Sequence, residues 1–173
     1  MTPAELLTDA LDRVLEDVES VLDGLDDDRL AARPASEANT IAWLVWHLTR
    51  VQDDHVADVA GSEQVWTAQG YDTRFGLPLE TGDIGYGHSS DQVALVRASA
   101  DLLADYHRAT CARTLEYLAT VEPDDLDRVV DTRWDPPVTL GVRLVSVVND
   151  CTQHVGQAAY VRGLLDRAAV VTR

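Results

Sequence analysis

The segment from Val138 to Arg167 reads as one long helix, and it constrains the fold more than any other stretch. Its first turns, Leu140 to Val148, are apolar on most sides. A helix that is apolar all round is a buried one, so this segment is expected to be the most buried element, with other helices packed about it. Three further segments have helical period. Thr2-Pro3-Ala4-Glu5 offers an N-cap, a proline suited to the first helical position and the glutamate of a capping box. Leu7, Leu11, Val14, Leu15, Val18, Val21 and Leu22 then recur at three- and four-residue spacings up to Gly24. A second helix is expected from Asn39-Thr40 to about Ala60, stopped by Gly61. A third is expected from Ser89, which fits a capping box with Gln92, to about Thr120.

Between these segments lie breakers: Pro34 and the acidic Asp26-Asp27-Asp28 in the first connection, and Pro123 to Pro137 in the last. There is no strand pattern of consequence and no internal repeat. The expected fold is all-α, an antiparallel four-helix bundle formed by a single domain over residues 1–173, with a long loop between helices two and three. That loop, Gly61 to Ser90, holds six of the ten glycines together with Trp66, Tyr71, Arg74, Phe75, Tyr86 and His88. Irregular segments of such length in compact domains are often functional covers, and the aromatics give this one something to bury.

Charge narrows the partners. Asp and Glu total 30 against 14 basic residues, all of them arginine, for a net charge of −16. Binding a phosphate backbone needs clustered cations, so no nucleic-acid partner is expected. No apolar run approaches the ~20 residues needed to span a bilayer, so no membrane partner is expected either. With no basic segment followed by an apolar one at the N-terminus, the expected location is cytoplasmic. Absent lysine with abundant Ala, Val, Arg and Asp resembles the composition of a GC-rich genome. Apolar faces on helices one or three leave room for a homodimer. Cys111 and Cys151 are too few and too isolated for a disulfide framework and are expected to be buried, reduced thiols.

Chemistry concentrates on the last helix. Asp150 and His154 are four residues apart, which stacks them on one face about 5–6 Å apart at Cβ. A carboxylate and an imidazole so placed can hold one metal ion. Buried in an apolar helix, Asp150 needs a cation, an arginine or a proton. His47, in the apolar run Ile41 to Leu48, supplies a third ligand if it points inward, and His55 on the same helix is its rival. His88 and His107 are expected to be solvated or loop residues. Arg74 and Arg162 offer forks for a carboxylate of a substrate or thiol, with pairing to one of the many acids as the competing role.

Three features carry a family resemblance: Trp43-Leu44-Val45-Trp46-His47-Leu48, the Asp150-x-x-x-His154-x-Gly156-Gln157 signature, and the glycine- and aromatic-rich segment between helices two and three. Over nearly its whole length the chain resembles the DinB/YfiT-like superfamily of metal-binding bundles, particularly the actinobacterial mycothiol-dependent branch that includes maleylpyruvate isomerase. The usual pattern of that superfamily is a helix-two His followed by His-x-x-x-His on the last helix. The isomerase has Glu in the first of those two places, and this chain has Asp150, one methylene shorter. The resemblance implies a divalent ion, zinc or nickel, on His47, Asp150 and His154, mycothiol as cosubstrate, and S-transfer to, or thiol-assisted isomerisation of, a small electrophile. Three protein ligands leave coordination positions open, as in catalytic sites, and coordination acidifies a thiol. A metal-dependent hydrolase and a non-catalytic stress or interaction bundle stay open as other readings. Neither a Ser-His-Asp order nor a phosphate-binding glycine loop is present.

Overall fold

Helix α1 (Pro3–Leu22) starts as its sequence dictates: Thr2 Oγ1 accepts the Glu5 N–H, and the Glu5 carboxylate accepts the Thr2 N–H. Its Leu11, Val14, Val18, Val21 and Leu22 are buried. A short helix capped by Asp26, α2 (Asp27–Ala31), leads to α3 (Ile41–Ala60). Thr40 caps α3 by accepting the Trp43 N–H, and Gly61 ends it in the left-handed conformation that glycine adopts without steric cost. Two short helices follow, α4 (Val65–Ala68) and α5 (Tyr71–Phe75), then α6 (Ser90–Leu95) and α7 (Ala100–Leu118). A 3-10 turn (Pro123–Asp127) and an antiparallel pair of strands, β1 (Val129–Asp131) and β2 (Val138–Thr139), lead into α8 (Leu140–Val171). The computed structural model describes the backbone of residues 1–171 and the side chains of residues 1–167. Among the described residues no helix is long and apolar enough to cross a membrane.

Three expectations change: the course of one helix, the burial of another, and the direction in which neighbouring helices run. The single helix from Ser89 to Thr120 is two helices. The Ser89–Gln92 box starts α6 as read, but Ser99 Oγ accepts the Leu102 N–H and opens a fresh helix at Ala100. Serine competes for backbone donors more readily than it continues a helix, and at the break Val96 turns into the core in extended geometry (φ −80°, ψ 100°). Nor is the last helix the most buried, since Val142, Val145 and Tyr160 on α8 are each more than 50% exposed. That place belongs to α3, where 16 of 20 residues are buried, so α3 is the element the others enclose.

Both α1 and α3 pack laterally against α7 and α8, so α1 and α3 lie on one diagonal of the bundle and α7 and α8 on the other. Contacts between side chains give the directions. Thr49 meets His107 and Gln52 meets Thr114, so numbers rise together along α3 and α7, which are parallel. His47 meets His154 while Gln52 meets Cys151, so α3 and α8 are antiparallel. Glu19 pairs with Arg108 while Leu11 shares an apolar cluster with Leu118, and α1 and α7 are therefore antiparallel. The four-helix bundle thus contains parallel as well as antiparallel neighbours. A tight turn cannot join parallel neighbours: a chain leaving the end of α3 must return along its length, about 30 Å for twenty helical residues, before α7 begins. The segment from Gly61 to Ser99 is that return.

Candidate metal centre

His47 lies in the second turn of α3, and Asp150 and His154 occupy consecutive turns of α8. The antiparallel packing of these helices brings all three together. One ligand atom from each lies within 4.8 Å of the other two. His154 Nε2 and Asp150 Oδ1 are 3.6 Å apart, and the His47 and His154 rings meet edge to face with 4.7 Å between centroids. Donors bound to one ion at about 2.0–2.2 Å stand roughly 3–4 Å from one another, so small side-chain rotations suffice to bring all three to bonding distance.

Each imidazole has its outer nitrogen occupied. His47 Nδ1–H donates to the Ile84 carbonyl, leaving the lone pair on Nε2. His154 Nδ1 lies 3.3 Å from the Gln157 side-chain oxygen, while its Nε2 faces Asp150. Acceptors of this kind fix the tautomer and raise the basicity of a metal-binding histidine. Burial holds the His47 pKa below the ordinary histidine value, outweighing the Ile84 carbonyl, and so favours the neutral ring that a metal requires. Asp150 Oδ2 is buried and has no hydrogen-bond partner among the described residues. Leaving such an oxygen unpaired costs on the order of 1–3 kcal/mol or more, and a cation removes that cost. Two imidazole nitrogens and a carboxylate oxygen form a donor set suited to a divalent first-row transition metal.

The centre is open on one side. The Asp150 and His154 side chains are 22% and 18% exposed, whereas His47 is buried. Asp150 therefore stands at the rim of the bundle and not deep inside it, as follows from the exposure of α8. The Trp43 ring stacks on His47 and meets His154 edge-on. From the crossover, the largely exposed Tyr86 meets His47 edge to face at 5.8 Å. Gly85 approaches so closely that a Cβ there would lie 2.6 Å from His47 Nδ1. The long segment between α3 and α7 covers the site, through residues 84–86.

The other candidates lie elsewhere. His55 sits beside Asp54, 3.2 Å away, outside the triad. Arg74 pairs with Asp105 at 2.7 Å and lies over the Tyr71 ring. Arg162 donates to the carbonyls of Ser20 and Val21 at 2.6 and 2.7 Å, closing the end of α1. His88 is a loop residue, as expected, but its side chain is only 3% exposed, and His107 is buried within α7. His107 contacts Thr49 Oγ1 and Cys111 Sγ, and burial pushes its pKa down to about 4. Burial likewise pushes the Cys111 thiol up to about 12 and Cys151 well above its usual value, so neither is a ready thiolate.

Sequence reasoning passed over Arg50, Asp53 and Asp83. Arg50 is fully buried, donates to the carbonyls of Thr81 and Asp83, to Gln64 and to the Tyr106 hydroxyl, and lies over the Trp66 ring. Asp53 accepts the Val65 and Trp66 N–H groups at 2.8 Å each and the Tyr106 hydroxyl at 2.8 Å. The available signal was two opposite charges three residues apart on an apolar helix, since buried charges are paired.

Comparison with known proteins bears on the fold and the family. A crystal structure described as that of "the conserved protein of locus from Enterococcus faecalis" is similar to this chain with a TM-score of 0.88 and 35% identity, over 95% of this chain and 97% of that one. No match was found among curated proteins. The model of the family described as Mycothiol-S-transferase matches residues 6–167, from the first turn of α1 to the far part of α8. With its DinB/YfiT-like bundle, the chain belongs to the mycothiol-S-transferase family.

Proposed function

We propose that this protein is a divalent-metal-dependent S-transferase that joins a low-molecular-weight thiol, mycothiol, to a small electrophile. The observation that carries the reading is the gathering of His47, Asp150 and His154 around an unpartnered buried carboxylate oxygen. A divalent cation, when bound, acidifies a thiol sulfur that coordinates it. The chain's residues supply the rest. His47 and His154 present Nε2 because Ile84 and Gln157 occupy Nδ1, and Asp150 adds one negative charge. Trp43 forms an apolar wall and Tyr86 overhangs the open side, where thiol and electrophile meet. The sulfur forms a bond to the electrophilic carbon and the thiol proton passes to solvent. In a substitution the bond to the displaced group breaks and its electron pair leaves with that group. In an addition the π bond of the electrophile breaks and its electron pair takes up a proton from solvent. Thiol-assisted isomerisation uses the same first step with later loss of the thiol.

Elemental analysis of untagged protein, with thermal melts on adding zinc, nickel or mycothiol, tests the reading. Wild type is expected to take up about one ion per chain and to melt higher with it. Asp150→Asn and His154→Ala are expected to lose the metal response and mycothiol-dependent turnover together. Turnover of an ester or amide without thiol would instead favour a hydrolase. Metal content below about 0.2 per chain after loading would favour a non-catalytic bundle.

A further inference from the structure

His47 stands in a closed circuit of contacts that the triad does not require. Its Nδ1–H donates to the Ile84 carbonyl. The residue before Ile84 is Asp83, whose carboxylate accepts the Gly85 N–H at 2.8 Å and the His88 Nε2–H at 2.9 and 3.0 Å. His88 Nδ1 accepts the Trp43 indole N–H at 3.1 Å. The Trp43 ring returns the circuit to His47 by lying against it, with 4.6 Å between centroids and 13° between planes. The two arms govern different properties of His47: the carbonyl decides which nitrogen carries the proton, and the indole decides the plane of the ring.

We infer that His88 is a positioning residue of the metal centre, joining the arm that sets the tautomer of His47 to the arm that sets its ring plane. The chemistry of the link is narrow. An indole N–H only donates and an ionised carboxylate only accepts, so the residue between them must accept on one side and donate on the other. Neutral histidine with its proton on Nε2 does both. Its side chain is 3% exposed and stacked on Trp46, so water does not compete for either bond. Asp83 is itself anchored, since Arg50 donates to its backbone carbonyl at 3.2 Å. The turn at residues 83–88 is thus held from both ends, and Gly85, at φ +94°, lets it approach His47.

This inference rests on the metal reading above, and its test separates the two. Zinc affinity is measured by competition with a chromophoric chelator for wild type, His88→Phe and His88→Gln, with metal-free melts alongside. Phenylalanine keeps the ring volume and loses both hydrogen bonds, whereas glutamine keeps a donor for Asp83. His88→Phe is expected to weaken zinc binding at least tenfold, the usual scale for outer-shell partners, and His88→Gln to recover most of that loss at a similar metal-free melting temperature. Undiminished affinity in His88→Phe, or equal losses in both variants, overturns the role of His88 and leaves the triad standing. Wild type that binds neither zinc nor nickel overturns both. One measurement needs no variant: the imidazole nitrogen resonances of His47 in metal-free wild type are expected to report the proton on Nδ1, and a proton on Nε2 overturns the proposal.

Discussion

Replacing Gly85 by alanine tests how closely the crossover and the metal ligand are fitted. The added Cβ meets His47 Nδ1 at 2.6 Å, Trp46 Cζ3 at 3.1 Å and His47 Cγ at 3.3 Å. None of these can swing aside, because both side chains are buried ring systems and His47 is tied to Ile84. Overpacking of this kind costs about 1–3 kcal/mol, and holding a residue with a side chain at φ +94° costs about 1–3 kcal/mol more. Gly87 is the matched control: its φ is +69°, and a Cβ added there would meet nothing within 4 Å, so Gly87→Ala bears the backbone cost alone. At about 2–4 °C per kcal/mol for a chain of this size, Gly87→Ala should melt roughly 6 °C below wild type and Gly85→Ala roughly 12 °C below. The second readout is the rise in melting temperature on adding zinc. Gly87→Ala should keep it, and Gly85→Ala should lose at least the ~1.4 kcal/mol that a tenfold weaker site represents. Equal melting temperatures and equal zinc responses in the two variants would refute the argument that this glycine makes room for the ligand.

Two further outcomes follow from buried polar groups away from the triad. His107 titrates near 4 when folded, because burial disfavours its charged form, and near 6.5 when unfolded. The unfolded chain therefore takes up a proton first as pH falls, so this stability is present above about pH 6.5 and is lost towards pH 4, by about 2 kcal/mol between pH 7 and 5. Urea unfolding of wild type and His107→Gln at those two pH values should show the acid-side loss shrinking in the variant. Arg50→Met leaves the Asp53 carboxylate without its buried cation, 3.7 Å away, and should cost about 3–5 kcal/mol in urea unfolding. The double variant Arg50→Met/Asp53→Asn should recover part of that loss, and no recovery would mean that the two charges act independently.

Helix ends were readable because their causes are local. Thr2 with Glu5, Thr40 before Ile41, Gly61 and Ser89 with Gln92 all act across three or four residues. The break before Ala100 was missed because Val96 fits the helical period and Ser99 lacks the acidic or amide partner of a capping box. The burial of α8 was misjudged for a different reason. Apolar residues on every side need neighbours on every side to be buried, and α8 has none outside Val142, Val145 and Tyr160 among the described residues. Exposed single apolar residues are ordinary. Asp150, His154 and His47 could be named from spacing and family resemblance. That two of them stand at the rim follows only from where α8 lies in the bundle.

The polar residues of α3 were unreadable because their partners are distant in sequence, yet they share one physical cause. The parallel packing of α3 and α7 obliges the chain to return along α3, and a return buried against a helix must satisfy its backbone polar groups there. Asp53 accepts the N–H groups of Val65 and Trp66, Arg50 donates to the carbonyls of Thr81 and Asp83, and His47 donates to the carbonyl of Ile84. Positions on α3 fall from 53 to 50 to 47 as positions on the crossover rise from 65 to 84. The three side chains are successive rungs fastening one strand of chain to one helix. His47 is the last rung, and it alone has a second nitrogen left over to face Asp150 and His154. The fold places a hydrogen-bonding side chain at this point for its own reasons, and histidine is the residue that meets that need with one nitrogen and offers the other to a metal.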